Sequence, residues 1–325
     1  MSDLAPDPLS SVVALLKPRP DISKMVVAGG RWQVDRTDMA SPFYAAIVQG
    51  RARLEVRGQA PVLLEAGDFV MVPAPDSFTM TSEVPPPPGA ARLPLETGPG
   101  TFRLGPADSP VEMRALVGHC RFDVPDRTLL LSLLPQMIHV SGHDRLMALV
   151  PVIHEETRAD RPARAMILER LLEVLMIEAL RSSPGHAGPP GLLRGLSDSR
   201  LGAALRRIHD AKGGALTVSG LAREAGMSRS AFFERFRSAL GCAPMEYARA
   251  WRMAVARDLL LRGGLTQAEI AHRVGYGSAS AFTLAFLRHE GIAPGLWAKR
   301  HAGSSAFAVS EATFPESVGS VAPGH

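Results

Sequence analysis

The side chains able to do chemistry are sparse in the first third of this 325-residue chain and patterned in the last third. No histidine lies between residues 1 and 118, so that stretch lacks the usual imidazole ligands of a transition metal. His139 and His143 are four apart, but Gly142 interrupts any helix that would align them, so a surface or capping role fits better than a metal site. His154-Glu155-Glu156 reads as a solvated helix face. Cys120 sits between His119 and Arg121, whose charges could lower the thiol pKa and make it a redox sensor; the plainer reading is a buried strand cysteine. With only Cys242 as a second cysteine there is neither a disulfide framework nor zinc-ligand spacing, which suits a reduced, cytoplasmic setting. No nucleophile–base pair, phosphate loop or metal set stands out, so neither catalysis nor a cofactor is expected.

The residues patterned for a different chemistry lie between Thr217 and Arg300, where a helix-turn-helix is written twice. Ser228-Arg-Ser-Ala-Phe-Phe-Glu-Arg-Phe236 returns as Ser278-Ala-Ser-Ala-Phe-Thr-Leu-Ala-Phe286, and Gly241-Cys-Ala-Pro244 as Gly291-Ile-Ala-Pro294. Internal repetition of this kind constrains the fold strongly. In each copy a threonine (Thr217, Thr266) caps a short helix, a glycine (Gly226, Gly275) makes the turn, and a serine (Ser228, Ser278) caps a second helix. Glu269 completes a capping box with Thr266. Phenylalanines four apart face inward, leaving the intervening side chains free to face the major groove of double-stranded DNA. Between the copies, residues 245–262 contain neither Gly nor Pro, enough for a helical rod of roughly 27 Å. Such a rod could hold two recognition helices about one DNA turn apart on one face of the duplex.

This pairing, with Gly275-Tyr-Gly-Ser-Ala-Ser-Ala-Phe282, Phe286 and Gly291-Ile-Ala-Pro294 in the second copy, resembles the AraC/XylS family of bacterial transcription regulators over about a hundred residues. The resemblance implies base-edge positions at Arg229, Ser230, Phe233 and Glu234, with Arg235 and Arg237 available to phosphates. In the second motif it implies Ala279, Ser280, Thr283 and Leu284, with Arg288 near the backbone. Glu234 can accept from cytosine N4, and Phe233 can meet a thymine methyl. Relatives commonly carry Arg at the Glu234 position, and often Arg and Lys where Leu284 and Leu287 stand here. The first motif is therefore expected to supply most base specificity, with the second giving shape and phosphate contacts or a face for RNA polymerase.

Charge divides the chain in the same way. Residues 196–301 hold 16 Lys/Arg against 8 Asp/Glu, a net +8, while residues 1–195 hold 20 against 22, a net −2. Counterion release from DNA phosphates needs the basic half to be the half that binds. Residues 8–16 read as an amphipathic helix. From residue 23 to 80 the period becomes that of short strands: Val26-Val27, 43–48, 52–56, 62–64 and 69–72, punctuated by Gly29-Gly30, Gly50, Gly58 and Gly67. The order resembles the small β-barrel of the cupin superfamily, common as a sensor before DNA-binding domains of this type. Phe78 stands where such barrels frequently carry a histidine ligand, which argues against a metal there. Trp32, Phe43, Tyr44, Phe69 and Phe78 are core aromatics by default, and those facing inward could line an apolar effector pocket.

Glu83 to Gly89 and Gly98 to Gly100 bound a loop of about twenty residues, long enough to gate a ligand. Further strands follow at 101–104 and 112–122, then helices at 143–158 and 163–181. The second of these is apolar on more than one face and suits a core or a homodimer interface. It carries Glu169, Arg170, Glu173 and Glu178, so it is not a membrane span. The expected plan is α+β and multidomain. A cupin-like sensor with trailing helices covers 1–181, a linker 182–195, an all-α double helix-turn-helix domain 196–301, and a disordered tail 302–325. The function expected is that of an effector-controlled, sequence-specific transcription regulator. The alternatives are a cupin enzyme fused to a DNA-binding module and a ligand-independent architectural DNA-binding protein.

Overall fold

The computed structural model describes residues 7–37, 41–75, 77–87, 94–124, 128–183, 190–210 and 216–301. The expected tail at 302–325 and the centre of the expected linker lie outside the described residues. The first helix, α1 (Pro8–Leu16), starts where Asp7 accepts from the Ser10 N–H and where proline occupies the first turn. It ends on Lys17, which takes the left-handed conformation at φ 47°, unusual for a residue other than glycine.

Eleven strands form two sheets among the described residues. The larger is built from β1 (Pro18–Ala28), β3 (Phe43–Gln49), β6 (Asp68–Val72), β8 (Leu95–Gly98), β9 (Thr101–Leu104), β10 (Met113–Phe122) and β11 (Ile138–Ser141), in the order β11-β6-β3-β10-β1-β9-β8. The smaller holds β2 (Gln33–Thr37), β4 (Arg51–Val56), β5 (Val62–Glu65) and β7 (Ser77–Thr81), in the order β2-β7-β4-β5. The two do not join into one closed ladder. They face each other across an apolar core that includes Trp32, Phe43, Ile47, Leu54, Leu64, Phe78 and Ala115. The cupin-like region is thus a sheet pair with helices on one outer face. Within the loop expected at 83–100, β8 pairs antiparallel with β9 at the edge of the larger sheet.

Alternation along the strands sends every second side chain to the other face. In β3, Phe43, Ala45 and Ile47 enter the inter-sheet core, while Tyr44 and Ala46 join a second core against the helices. Tyr44 lies directly over Gly118 of β10: a Cβ built there would stand 2.0 Å from the Tyr44 ring. The helices over this face include α2 (Thr128–Ser132), α3 (Asp144–Arg158) and α4 (Arg164–Ser182). Leu168, Leu172, Leu175, Met176 and Ala179 form the buried stripe of α4, whereas Met166, Ile167 and Val174 are left exposed.

The same second core runs without a break into the C-terminal region. Leu192, at the start of the short helix α5 (Leu192–Ser197), is fully buried, and its N–H donates to the Leu133 carbonyl at 2.9 Å. The stretch expected as a linker is therefore helical from Leu192 and anchored to both sides. Next come α6 (Ser199–His209), α7 (Val218–Glu224), α8 (Arg229–Leu240), α9 (Pro244–Arg262), α10 (Gln267–Arg273), α11 (Ala279–Glu290) and α12 (Pro294–His301). Lys17 reaches across to Asp258 of α9 at 2.7 Å, tying the head of β1 to the rod between the two motifs.

Candidate nucleic-acid interface and sensor cavity

The two helix-turn-helix units are built by the same local chemistry. Thr217 accepts from the Gly220 N–H at 3.0 Å to start α7, and Thr266 forms a capping box with Glu269 to start α10. The turns follow at Gly226 and Gly275, where φ is 63° and 80°. That left-handed region suits glycine because a Cβ would meet the backbone there. Ser228 caps α8 through the Ala231 N–H at 3.3 Å, and Ser278 caps α11 through Ala281 at 3.2 Å. Gly241 and Gly291, at φ 83° and 75°, end both helices with their N–H groups bonded to the carbonyls of Arg237 and Leu287.

Inside, Phe232 and Phe236, and likewise Phe282 and Phe286, are fully buried, with ring centroids 5.6 Å apart in each pair. The first unit closes on Tyr247, Trp251 and His209, and the second on Met253, Ile270, Val274 and Trp297. One ion pair ties the second unit to α9, and a second lies within α9 itself. Arg257 of α9 meets Glu290 of α11 at 3.0 Å with both side chains nearly buried, while Asp258, held by Lys17, also meets Arg262 at 2.8 Å.

Outward on α8, Arg229, Ser230 and Glu234 are exposed and Phe233 is half-buried; with Val218 of α7 they line one open depression. Arg237 is exposed. Arg235, also exposed, is paired through Nε with Asp198, the N-cap of α6. Burial works against the Asp198 charge, but hydrogen bonds from Arg235, Leu201 and Arg200 hold its pKa below the usual carboxylate value. On α11, Ser280, Leu284 and Arg288 are exposed, and Ala279 and Thr283 are half-buried. The Thr283 hydroxyl donates back to the Ala279 carbonyl at 2.8 Å, so its proton is already used within the helix. Leu284 and Leu287, 49% and 41% exposed, give this helix an apolar outer surface where α8 is polar.

Between the sheets lies a narrow cavity of about 40 Å³, partly open to solvent. Phe43, Phe78, Met80, Phe102, Leu104 and Met113 are among its apolar walls, and Lys24, Arg36 and His119 are its polar ones. Of the five aromatics considered for an effector pocket, Phe43 and Phe78 line it. Trp32 belongs to the same core without lining the cavity, and Tyr44 and Phe69 stand on the opposite face of the larger sheet. Each stands an odd number of residues from strand neighbours in the inter-sheet core, Tyr44 from Phe43 and Phe69 from Val70 and Val72, so it points to the other face.

Burial pushes the Lys24 ammonium down to about 8, with Arg36 adding like-charge repulsion. Burial, then Lys24 and Arg36, push the His119 imidazole down to about 3. Cys120 departs from the redox expectation. Its strand neighbours His119 and Arg121 point to the other face, and the thiol is packed against the helices, where burial pushes its pKa up to about 12. His139 donates from Nε2 to the Asp68 carboxylate at 3.0 Å, and His143 is the N-cap residue of α3. Among the described residues no three His, Cys, Asp or Glu side chains gather as a metal site, and no helix is long and apolar enough to cross a membrane.

A cupin family model matches residues 7–183, and a helix-turn-helix domain model matches residues 221–300. An AraC-like transcription regulator of Streptomyces lividans is 34% identical over 302 residues, covering 90% of this chain and 98% of its own length. The chain belongs to the AraC family of transcription regulators. It joins a cupin-type N-terminal region to an AraC-type DNA-binding helix-turn-helix domain. The regulator is also 27% identical over 303 residues to the Escherichia coli activator RclR, a transcriptional activator specific for RCS, across 90% of this chain and 98% of that one. Among solved structures, the DNA-binding domain of AdpA in complex with a target DNA is 30% identical, covers 33% of this chain and 92% of that one, and has a TM-score of 0.29.

Three residues that line the cavity are not brought together by sequence reading. Lys24, Arg36 and His119 lie on strands separated by as many as 95 positions, and only the sheet register brings them to one cavity. The available signal was Lys24 itself, a charged residue one step before the apolar run of residues 25–28.

Proposed function

We propose that the regulator reads DNA chiefly through α8 and responds to a small effector held between the two sheets. The observation that carries the first part is the contrast between the recognition helices. Helix α8 presents Arg229, Ser230, Phe233 and Glu234 in one open depression, whereas α11 presents Leu284 and Leu287 and a Thr283 hydroxyl bonded within its own helix. Polar and cationic groups read base edges and phosphates; an exposed leucine pair offers only methyl contacts or a surface for a protein such as RNA polymerase. Arg229 stands with Ser230, Phe233 and Glu234 at the base edges, Arg237 is the phosphate contact proposed for α8, and Arg288 the one for α11. Arg235 serves Asp198 and the seating of α6. Residues 1–181 act as the sensor and 196–301 as the DNA-binding domain, with the exposed face of α4 as the homodimer contact.

The route from effector to DNA runs along β1. Lys24 of this strand lines the cavity, and Lys17 at its head pairs with Asp258 of α9, the rod between the two motifs. An effector that favours one position of β1 thereby favours one setting of α9, and it can shift the balance only by its difference in affinity for the two settings. Selection of binding sites from a random duplex pool by the full-length protein tests this reading. A sharp motif is expected; enrichment without a motif, with a steep salt dependence, would instead mark an architectural DNA-binding protein.

A further inference from the structure

The sensor cavity is electrostatically one-sided. Its walls are hydrocarbon except for Lys24, Arg36 and His119, and no carboxylate is among its described lining residues. Lys24 is 9% exposed and makes no ion pair among the described residues; its Nζ lies 5.2 Å from the centre of the Phe102 ring, a weak partner for a buried ammonium. His119 is 8% exposed and its Nδ1 is buried with no hydrogen-bond partner. Arg36, engaged elsewhere in the fold, adds its positive field to the same wall. Asp35, next to Arg36 on β2, takes hydrogen bonds from Gln33 and Thr79 and does not line the cavity.

Burying the Lys24 ammonium without a counter-charge is costly, and a buried polar nitrogen without a partner adds to that cost. An anion placed among the three groups removes both penalties at once. We propose that the effector is a compact organic carboxylate with an apolar body. Its acid group sits against Lys24 Nζ and the neutral His119 ring, and its body lies among Phe43, Phe78 and Met80. A carboxylate accepts the ammonium hydrogens and, from the tautomer protonated at Nδ1, the imidazole N–H. The narrow space between the sheets sets the size, and the apolar walls exclude sugars and polar amino acids, whose hydroxyl or ammonium groups would lose water without replacement.

This inference rests on the effector reading above and deepens it. The test uses the full-length protein without DNA. Binding of straight-chain carboxylates from acetate to decanoate, and of benzoate, is measured by calorimetry and by the shift in melting temperature, each beside the uncharged amide of the same body. At least one carboxylate should bind and raise the melting temperature while its amide does not. Lys24→Met, which exchanges a buried charge for a side chain of similar length, should melt no lower than the wild type and bind that carboxylate about tenfold more weakly or worse. Equal binding of acid and amide, equal binding by Lys24→Met, or no binding by any carboxylate in the series would overturn the proposal. The acid and amide comparison needs no variant and decides the matter even where Lys24→Met is unstable. DNA binding by the same preparation, scored separately on a selected site, separates a failure of the anion inference from a failure of the regulator reading.

Discussion

His209 makes the first helix-turn-helix unit acid-labile in a way that can be measured directly. Its ring stacks on Trp251 with centroids 3.8 Å apart, its Nε2 lies 2.8 Å from the Tyr247 hydroxyl, and its Nδ1 is buried without a partner. Burial pushes its pKa down to about 3. In the unfolded chain the same imidazole takes up a proton near pH 6.5. The unfolded state therefore binds more protons than the native state between those values, and stability falls as the pH drops from about 6.5 towards 3. Integrated from pH 7 to pH 5, the loss from this one residue is about 2 kcal/mol. The window lies above the range in which Asp68 and Asp198 titrate, since both are held below the ordinary carboxylate value. His119 contributes with the same sign, so the assay is a difference: urea unfolding followed by tryptophan fluorescence, for the wild type and His209→Gln, at pH 7 and pH 5. The stability advantage of the wild type over the variant should shrink by about 2 kcal/mol on acidification. An advantage that stays constant would refute the assignment of a neutral, buried imidazole to the α6–α9 contact.

Three further outcomes follow from the same geometry. Phe233→Ala or Glu234→Ala should weaken binding to a selected site by about 1–3 kcal/mol, in line with one good base contact, measured by fluorescence anisotropy; a larger loss from Thr283→Ala would reverse the ranking of the two motifs. The Cys120 thiol should resist an aromatic disulfide reagent in the folded protein and react in urea, because burial holds it protonated; rapid labelling of the native protein at Cys120, mapped by mass spectrometry, would restore the redox reading. Lys17→Met should leave DNA affinity without effector within a few-fold of the wild type while reducing the change in affinity that effector produces. An undiminished effector response would remove β1 and Asp258 from the route between cavity and DNA.

Much of the DNA-binding half is legible in sequence because its determinants are local. Caps, turns and inward phenylalanines recur at fixed offsets, and every one falls where the repeat places it: Thr217, Gly226, Ser228, Gly241 and their counterparts. The first sheet-forming runs are equally readable, since apolar β-branched stretches between glycines specify strands. β2 and β7 are less so: Gln33–Thr37 and Ser77–Thr81 are polar on one face and carry little apolar signal. The aromatics divide for a reason that no composition reveals. A register shift of one residue exchanges the faces of a strand, so Phe43 and Tyr44, adjacent in sequence, serve different cores. The pairing of Arg235 with Asp198 escapes sequence reading because the partner is 37 residues away and belongs to another helix. The cavity is the least legible feature, being assembled from strands of both sheets.

In the function proposed above, one chain carries two DNA-facing motifs spaced by α9 and α8 does most of the reading. Hydroxyl-radical footprinting of the full-length protein on a selected duplex tests it most directly. Two protected segments about one helical turn apart on one face of the DNA are predicted, with base substitutions in the segment under α8 costing more affinity than those under α11. A single protected segment, or equal sensitivity to substitution in both, would contradict it.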